Sequence, residues 1–247
     1  ENIKEKNPEL LNDPLWAKEN LPSAADIYLG HLRYGTFGGD DIEFVQPLMR
    51  ENNWKSRNLI LAGNFNMTNV DELFKVLIDL GQHPKEYSDT VTCLEKVGHF
   101  IDEENQLLFR QYKNEGFKNK EISSLIAKDL DLKKILQEAS KDWDGGYAMA
   151  GILGHGDAFV ARDPWGIRPA FYYKDDEIVV VASERPVIQT VMNVKAESVK
   201  EVNPGEALII KKNGAITNEV IRVPEKRSSC SFERIYFSRG SDKDIYQ

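Results

Sequence analysis

Arg33, Thr36, Asn64 and Asp89 carry the side chains whose chemistry is most readily joined on one small ligand. Arg33, within GHLRYGTFG, offers a planar fork that matches a carboxylate, and Asp89, within Ser88-Asp89-Thr90, offers a carboxylate that matches an ammonium. Together they would hold both ends of an α-amino acid. Between them the stretch from Asn58 to Asn69 reads NLILAGNFNMTN and crowds amides and a hydroxyl at Asn64, Asn66, Thr68 and Asn69. Carboxamide and backbone N–H donors at a sheet edge are what a developing oxyanion needs. Taken singly, each residue has an ordinary explanation: Arg33 as a surface strand residue, Asp89 as a helix N-cap, Thr36 as a turn hydroxyl, Asn64 as part of a capped turn.

The elements that must position these residues follow from periodicity. Asn58 to Ala62 is an apolar run of strand length that stops at Gly63, an amide-rich turn follows, and Val70, Leu73, Phe74, Leu77 and Ile78 form one face of a helix that Thr68 or Asn69 would cap. Upstream, Asp26 to Tyr34 reads as a strand running into the turn Gly35 to Gly39, and Asp41 to Asn53 as loop. Pro8, Pro14 and Pro22 interrupt any helix in the first polar residues. Ser88 or Asp89 would cap a helix running toward Tyr112 with Val91, Leu94, Val97, Phe100 and Ile101 on one face, and a further helical stretch follows Gly116. From Gly145 the period becomes that of strands: Gly146 to Leu153, Ala158 to Arg162, Ala170 to Tyr173 and Ile178 to Ala182. A short helix over Arg185 to Met192 and a hairpin of Glu206 to Lys211 with Ala215 to Val220 complete the pattern. Strands, then helices, then strands predict an α+β domain with helices covering antiparallel sheet.

Composition narrows the classes. The 247 residues can bury a full core, and 41% hydrophobic with 10% aromatic residues mark a globular chain. No apolar run is long enough to cross a membrane. Forty acidic against 32 basic residues give a formal charge of −8 with no basic cluster, which disfavours nucleic acid as a partner. Cys93 and Cys230 form neither a disulfide framework nor a CxxC pattern, and His31, His83, His99 and His155 have no metal-ligand spacing. The cysteine usage reads as cytoplasmic; no charged-then-apolar leader opens the chain, and because Glu1 is no initiator the chain is expected to begin inside a longer protein.

Quoted in order, GHLRYGTFG, LAGNFNMTN, Ser88-Asp89-Thr90, Gly145-Gly146-Tyr147-Ala148, ARDPWGIRPA, VASER, Pro204-Gly205-Glu206 and FERIYFSRGSD span Tyr28 to the C-terminus. As a set they resemble the class II glutamine amidotransferases, and the amidophosphoribosyltransferase branch of that family most closely. FERIYFSRGSD favours this purine-pathway branch over glucosamine-phosphate synthase or asparagine synthetase. The resemblance implies an N-terminal-nucleophile hydrolase fold, an αββα four-layer sandwich incomplete at its N-terminus. Residues 1–26 read from their composition as a polar surface excursion, and the resemblance implies 27–223 as the glutaminase domain and 224–247 as linker and start of a phosphoribosyltransferase domain. In such enzymes an N-terminal cysteine attacks the glutamine carboxamide, its own α-amine serves as base, and the ammonia released goes to phosphoribosylamine synthesis from phosphoribosyl pyrophosphate, the first step of purine biosynthesis.

Carried over residue by residue, Arg33 matches the grip on the substrate α-carboxylate, Asp89 the partner of its α-amine, and Thr36 a pocket wall. Asn64 matches the oxyanion-hole amide, with Phe65 supplying the backbone N–H, and Tyr34 matches a family position without assigned chemistry. Two departures stand out. Where the family turn is usually HNGN this chain has Gly63-Asn64-Phe65-Asn66, and phenylalanine resists a positive φ that glycine would accept. No N-terminal cysteine is present, the family's HRGQ-like arginine segment is missing, and neither Cys93 nor Cys230 offers the free amine the mechanism needs, so the chain as it stands is expected to be inactive. The resemblance implies no cofactor in this domain and Mg in the phosphoribosyltransferase domain. Cys230 matches a position that is a cluster ligand in iron–sulfur members and that cluster-free members also carry. Asp163-Pro164 with Gly166 reads as a structural turn. Expected partners are glutamine, the protein's own phosphoribosyltransferase domain and further copies in a homo-oligomer, with no nucleic acid and no membrane. The alternatives are a catalytically dead domain that senses glutamine, or one that docks a transferase partner.

Overall fold

The computed structural model describes residues 13–21, 24–32, 45–84, 86–236 and 242. Nine strands form two antiparallel sheets among these residues: β1 (Leu48–Arg50), β2 (Leu59–Met67), β3 (Gly145–Leu153), β4 (Ala158–Arg162), β5 (Phe171–Lys174), β6 (Val179–Ala182), β7 (Lys200–Glu201), β8 (Glu206–Ile210) and β9 (Ile216–Val220). The larger sheet has the order β1-β2-β3-β4-β8-β9 and the smaller β6-β5-β7. The helices are α1 (Pro14–Asn20), α2 (Val70–Asp79), α3 (Asp89–Asn114), α4 (Asn119–Asp129), α5 (Leu132–Ser140), α6 (Arg185–Met192) and α7 (Ser231–Tyr236). The α+β expectation holds.

Alternation along each strand divides the core. Leu59, Leu61, Phe65 and Met67 of β2, with Tyr147 and Met149 of β3 and Phe159 of β4, face α2, α3, α4 and α5 in the main apolar cluster. Ala148, Ala150, Val160 and Leu208 turn to the other face of the same sheet and meet Tyr172 and Val181 of the smaller sheet. A third cluster joins Phe171 and Val180 to Ile188 of α6. Leu59, Leu61, Val97, Ile101, Ile122, Ile126 and Leu136 are fully buried, and each such side chain contributes about 1.5–3 kcal/mol. At 26 residues α3 is about 39 Å long, enough to lie along β2 and still reach α5. Arg50 pins β1 to it by ion pairs to Glu95 at 3.1 Å and Asp102 at 2.6 Å.

Several local expectations are corrected. The strand does not stop at Gly63: β2 continues through Asn64, Phe65 and Asn66 to Met67, because β3 offers it nine consecutive partners from Leu153 to Gly145. The ladder consumes the backbone that a turn would have used. Asn69 precedes α2 but its side chain makes no capping bond there; it is spent instead on Asp142 O, to which its Nδ2 donates at 2.8 Å. Residues 48–50, read as loop, form β1 against β2. Residues 26–32 pair with no described strand, and Leu32 is 99% exposed, so the apolar alternation there lacks the ladder a strand requires. Residues 33 and 34 lie outside the described ones. Pro14 opens a helix instead of breaking one, since a first-turn proline loses no intrahelical bond. The helical stretch after Gly116 divides in two, with Asp131 accepting from Lys134 N at 3.0 Å to start α5.

Candidate functional site

Asn64 and Phe65 lie near the end of β2, opposite Ala148 and Tyr147 of β3. That end is clamped, because Thr68 N donates to Asp144 O at 3.0 Å and Asp144 N donates to Asn69 Oδ1 at 3.3 Å. Gly63 is required for the fit: a Cβ there would stand 2.6 Å from Ala148 O and 2.8 Å from Met149 Cα. The strand therefore lies unusually close to β3 just before Asn64.

The N–H of Phe65 faces the open side of β2. Gly63 N donates away from β3, to Gln46 Oε1 at 2.7 Å, whereas Thr68 N points toward the β3 side. Backbone groups alternate sides along a strand, so Phe65 shares the direction of Gly63. Beyond Leu61 no described strand covers that edge. Phe65 needs no positive φ, since Asn193 is the one non-glycine residue with positive φ among the described residues. The glycine of the family turn is thus not required by the backbone conformation seen here. The Asn64 carboxamide leaves the sheet on the face opposite Phe65's ring, next to an edge-facing N–H.

Asp89 is the first residue of α3. The cap is Ser88, whose side chain accepts from Val91 N at 3.2 Å, so the capping duty that would explain Asp89 belongs to its neighbour. The Asp89 carboxylate accepts from Thr90 N at 2.8 Å, at a helix start where negative charge is favoured. One side chain joins this helix start to the strand. Gln46 accepts from Gly63 N at 2.7 Å and donates through Nε2 to Thr90 Oγ1 at 3.2 Å. Arg33, Tyr34 and Thr36 lie outside the described residues; Asn64 and Phe65 are adjacent on β2, and Asp89 stands at the helix start that Gln46 bonds to the backbone of Gly63.

Two further residues reach the amide. Asn64 Nδ2 donates to Glu233 Oε1 at 2.6 Å, and Arg168 bonds the same carboxylate oxygen. Glu233 comes from α7, and its side chain is only 9% exposed. Arg168 is placed by Asp163, fully buried, which accepts from the backbone N–H groups of Trp165, Ile167 and Arg168 at 3.1, 2.9 and 3.0 Å. The structural reading of the Asp163 turn is thereby given its mechanism. Glu233, Arg168 and Gln46 were not singled out by sequence reasoning. Glu233 stands 169 positions from Asn64, a separation over which no spacing rule operates.

Cys93 cannot act as a nucleophile. It is fully buried one turn beyond Asp89, and burial, aided by Asp89 and opposed by Lys96, pushes its thiol well up. Cys230 precedes α7 and donates its backbone N–H to Ile167 O at 3.2 Å. Among the described residues no group of three His, Cys, Asp or Glu side chains converges on a metal position. Nor is any described helix long and apolar enough to cross a membrane. A cleft of about 660 Å³ lined by Lys55, Lys120, Lys128, His155 and Lys212 opens at the Leu59 end of β2, about 17 Å along the strand from Asn64, and is separate from this site.

No protein-family model matches the chain. Individual relatives do, and they carry the name amidophosphoribosyltransferase. The amidophosphoribosyltransferase of Bacillus subtilis (strain 168) is 34% identical over 217 residues, covering 85% of this chain and 37% of that protein. The Escherichia coli (strain K12) amidophosphoribosyltransferase is 28% identical over 237 residues, covering 93% and 42%. Two solved structures superpose with a TM-score of 0.62: the B. subtilis glutamine phosphoribosylpyrophosphate amidotransferase complexed with ADP and GMP, at 29% identity, and the allosteric regulatory enzyme of purine biosynthesis, at 30%. Each covers 86% of this chain and is itself covered to 39%. The chain is similar to amidophosphoribosyltransferases over most of its own length and spans about two fifths of theirs.

Proposed function

We propose that this chain is the glutamine-hydrolysing part of an amidophosphoribosyltransferase, releasing ammonia for phosphoribosylamine synthesis from phosphoribosyl pyrophosphate. One observation carries the reading: Asn64 Nδ2 and the edge-facing Phe65 N–H are neighbouring donors, tied through Gln46 to the helix start bearing Asp89. In this assignment Asp89 takes the glutamine α-ammonium, Arg33 the α-carboxylate, and Thr36 lines the pocket. The two donors receive the oxygen that becomes negative when a thiol attacks the side-chain carboxamide. That thiol is neither Cys93, whose sulfur is buried, nor Cys230, whose amine is in a peptide bond.

The three apolar clusters support the finer αββα reading, with helices on the larger sheet, the smaller sheet on its other face and α6 outermost. We assign the linker from residue 224 to a phosphoribosyltransferase domain on the same polypeptide, and the cytoplasm as compartment. The test uses purified protein. The intact polypeptide supplied with glutamine and phosphoribosyl pyrophosphate should release pyrophosphate and glutamate, while the 247 residues alone should release no ammonia from glutamine. Steady ammonia release by this chain alone would refute the nucleophile assignment, and failure of the intact protein would refute the function.

A further inference from the structure

The helix α7 is turned the wrong way for ordinary packing. Its apolar residues Phe232, Ile235 and Tyr236 are 67%, 76% and 60% exposed, and its inward residue is a glutamate. Glu233 is delivered by a linker fastened along the Asp163 loop: Glu225 N donates to Pro164 O at 2.8 Å, Ser228 N to Trp165 O at 2.9 Å and Cys230 N to Ile167 O at 3.2 Å. Burying a carboxylate is costly unless it is paired. Glu233 has its pair in Arg168, and the same oxygen accepts from Asn64 Nδ2.

An ionised carboxylate only accepts, so it admits the NH2 end of the Asn64 amide and rejects the carbonyl end. The NH2 group has two hydrogens, and a partner for one fixes the direction of the other. Resting on the proposed function, we propose that Glu233 is a positioning residue for glutamine hydrolysis. It holds the Asn64 carboxamide with an N–H toward the oxyanion, so that the glutamine site is competent only while the linker helix is docked. Arg168 neutralises the carboxylate, which keeps a bare negative charge from opposing the oxyanion beside it.

The test is steady-state glutamine hydrolysis by the intact protein carrying Glu233→Ala or Glu233→Gln, with the Asn64 side-chain amide followed by NMR. Glu233→Ala should lower kcat by about tenfold to a hundredfold, the range for losing a hydrogen bond to a charged group, with KM within about threefold because the effect falls on the transition state. Glu233→Gln keeps an acceptor but adds a donor, and should recover part of the rate lost in Glu233→Ala, which a merely structural role would not require. In the Ala variant the Asn64 amide proton that Glu233 accepts should move upfield and exchange faster with water. A higher kcat in Glu233→Ala would overturn the proposal, because the contact would then obstruct the site. Unchanged kcat and KM in a folded variant would overturn it equally. If unmodified protein fails to hydrolyse glutamine at all, it is the proposed function that falls, and with it the catalytic role given to Glu233.

Discussion

Asn64 is where a site residue and a fold residue make different demands. As a strand residue paired with Ala148 it needs only its backbone, so its carboxamide, which gives one N–H to Glu233, is not required by the sheet. In the intact protein, Asn64→Ala should reduce glutaminase kcat by about 10²–10³, or 2.7–4 kcal/mol, with KM little changed, because the lost donor acts mainly on the transition state. Kinetics and a melting curve on this variant check it; near-normal kcat in a less stable protein would assign Asn64 to the fold alone. The residue was legible in the sequence through its type and its amide-rich neighbours. Glu233 and Gln46 were not, because their importance lies in contacts across long stretches of chain that neither period nor motif encodes.

The elements were read best where local pattern and packing agree. Amphipathic spacing located α2 and α3, and the strand period located β3, β4 and the β8–β9 hairpin. The reading failed where a neighbour overrode the local signal, as in the extension of β2 along β3 and in residues 26–32, which alternate in sequence yet find no described partner. Asp157 shows a turn fixed by such a neighbour. Buried between the β3–β4 and β8–β9 turns, it accepts from Lys212 N at 2.9 Å and pairs with His155 at 3.1 Å and Lys211 at 2.5 Å. Burial alone would raise its carboxyl, but these partners outweigh burial and bring it down to about 2. A lowered folded value means that the ionised form stabilises the fold above the ordinary value of 3.8 and that this contribution disappears as pH falls toward 2. Asp157→Asn should therefore cost about 1–3 kcal/mol at neutral pH by weakening its partners' bonds. Denaturant midpoints for the two proteins should converge as the pH is lowered from about 4 to about 2. A difference that persisted at the lowest pH would contradict the ionised pairing.

At the scale of the whole molecule, the larger sheet brings its amide-bearing strand end beside the start of α3, while the linker returns from the far end of the chain to touch the same amide. The α+β class was legible because it depends only on the order of periods. The closing of the linker onto Asn64 was not, since α7 is short and shows no inward apolar face. On the proposed function these residues serve glutamine and not the synthase chemistry that uses its ammonia. The most direct measurement compares phosphoribosylamine synthesis from glutamine with synthesis from ammonium in the intact protein, before and after Asp89→Ala and, separately, Arg33→Ala. Each substitution should weaken the glutamine-dependent reaction by about 2–5 kcal/mol, as expected when one partner of a buried charge pair is removed, and leave the ammonium-dependent rate unchanged. Equal loss with both nitrogen donors in a folded variant, or no loss with glutamine, would contradict the claim.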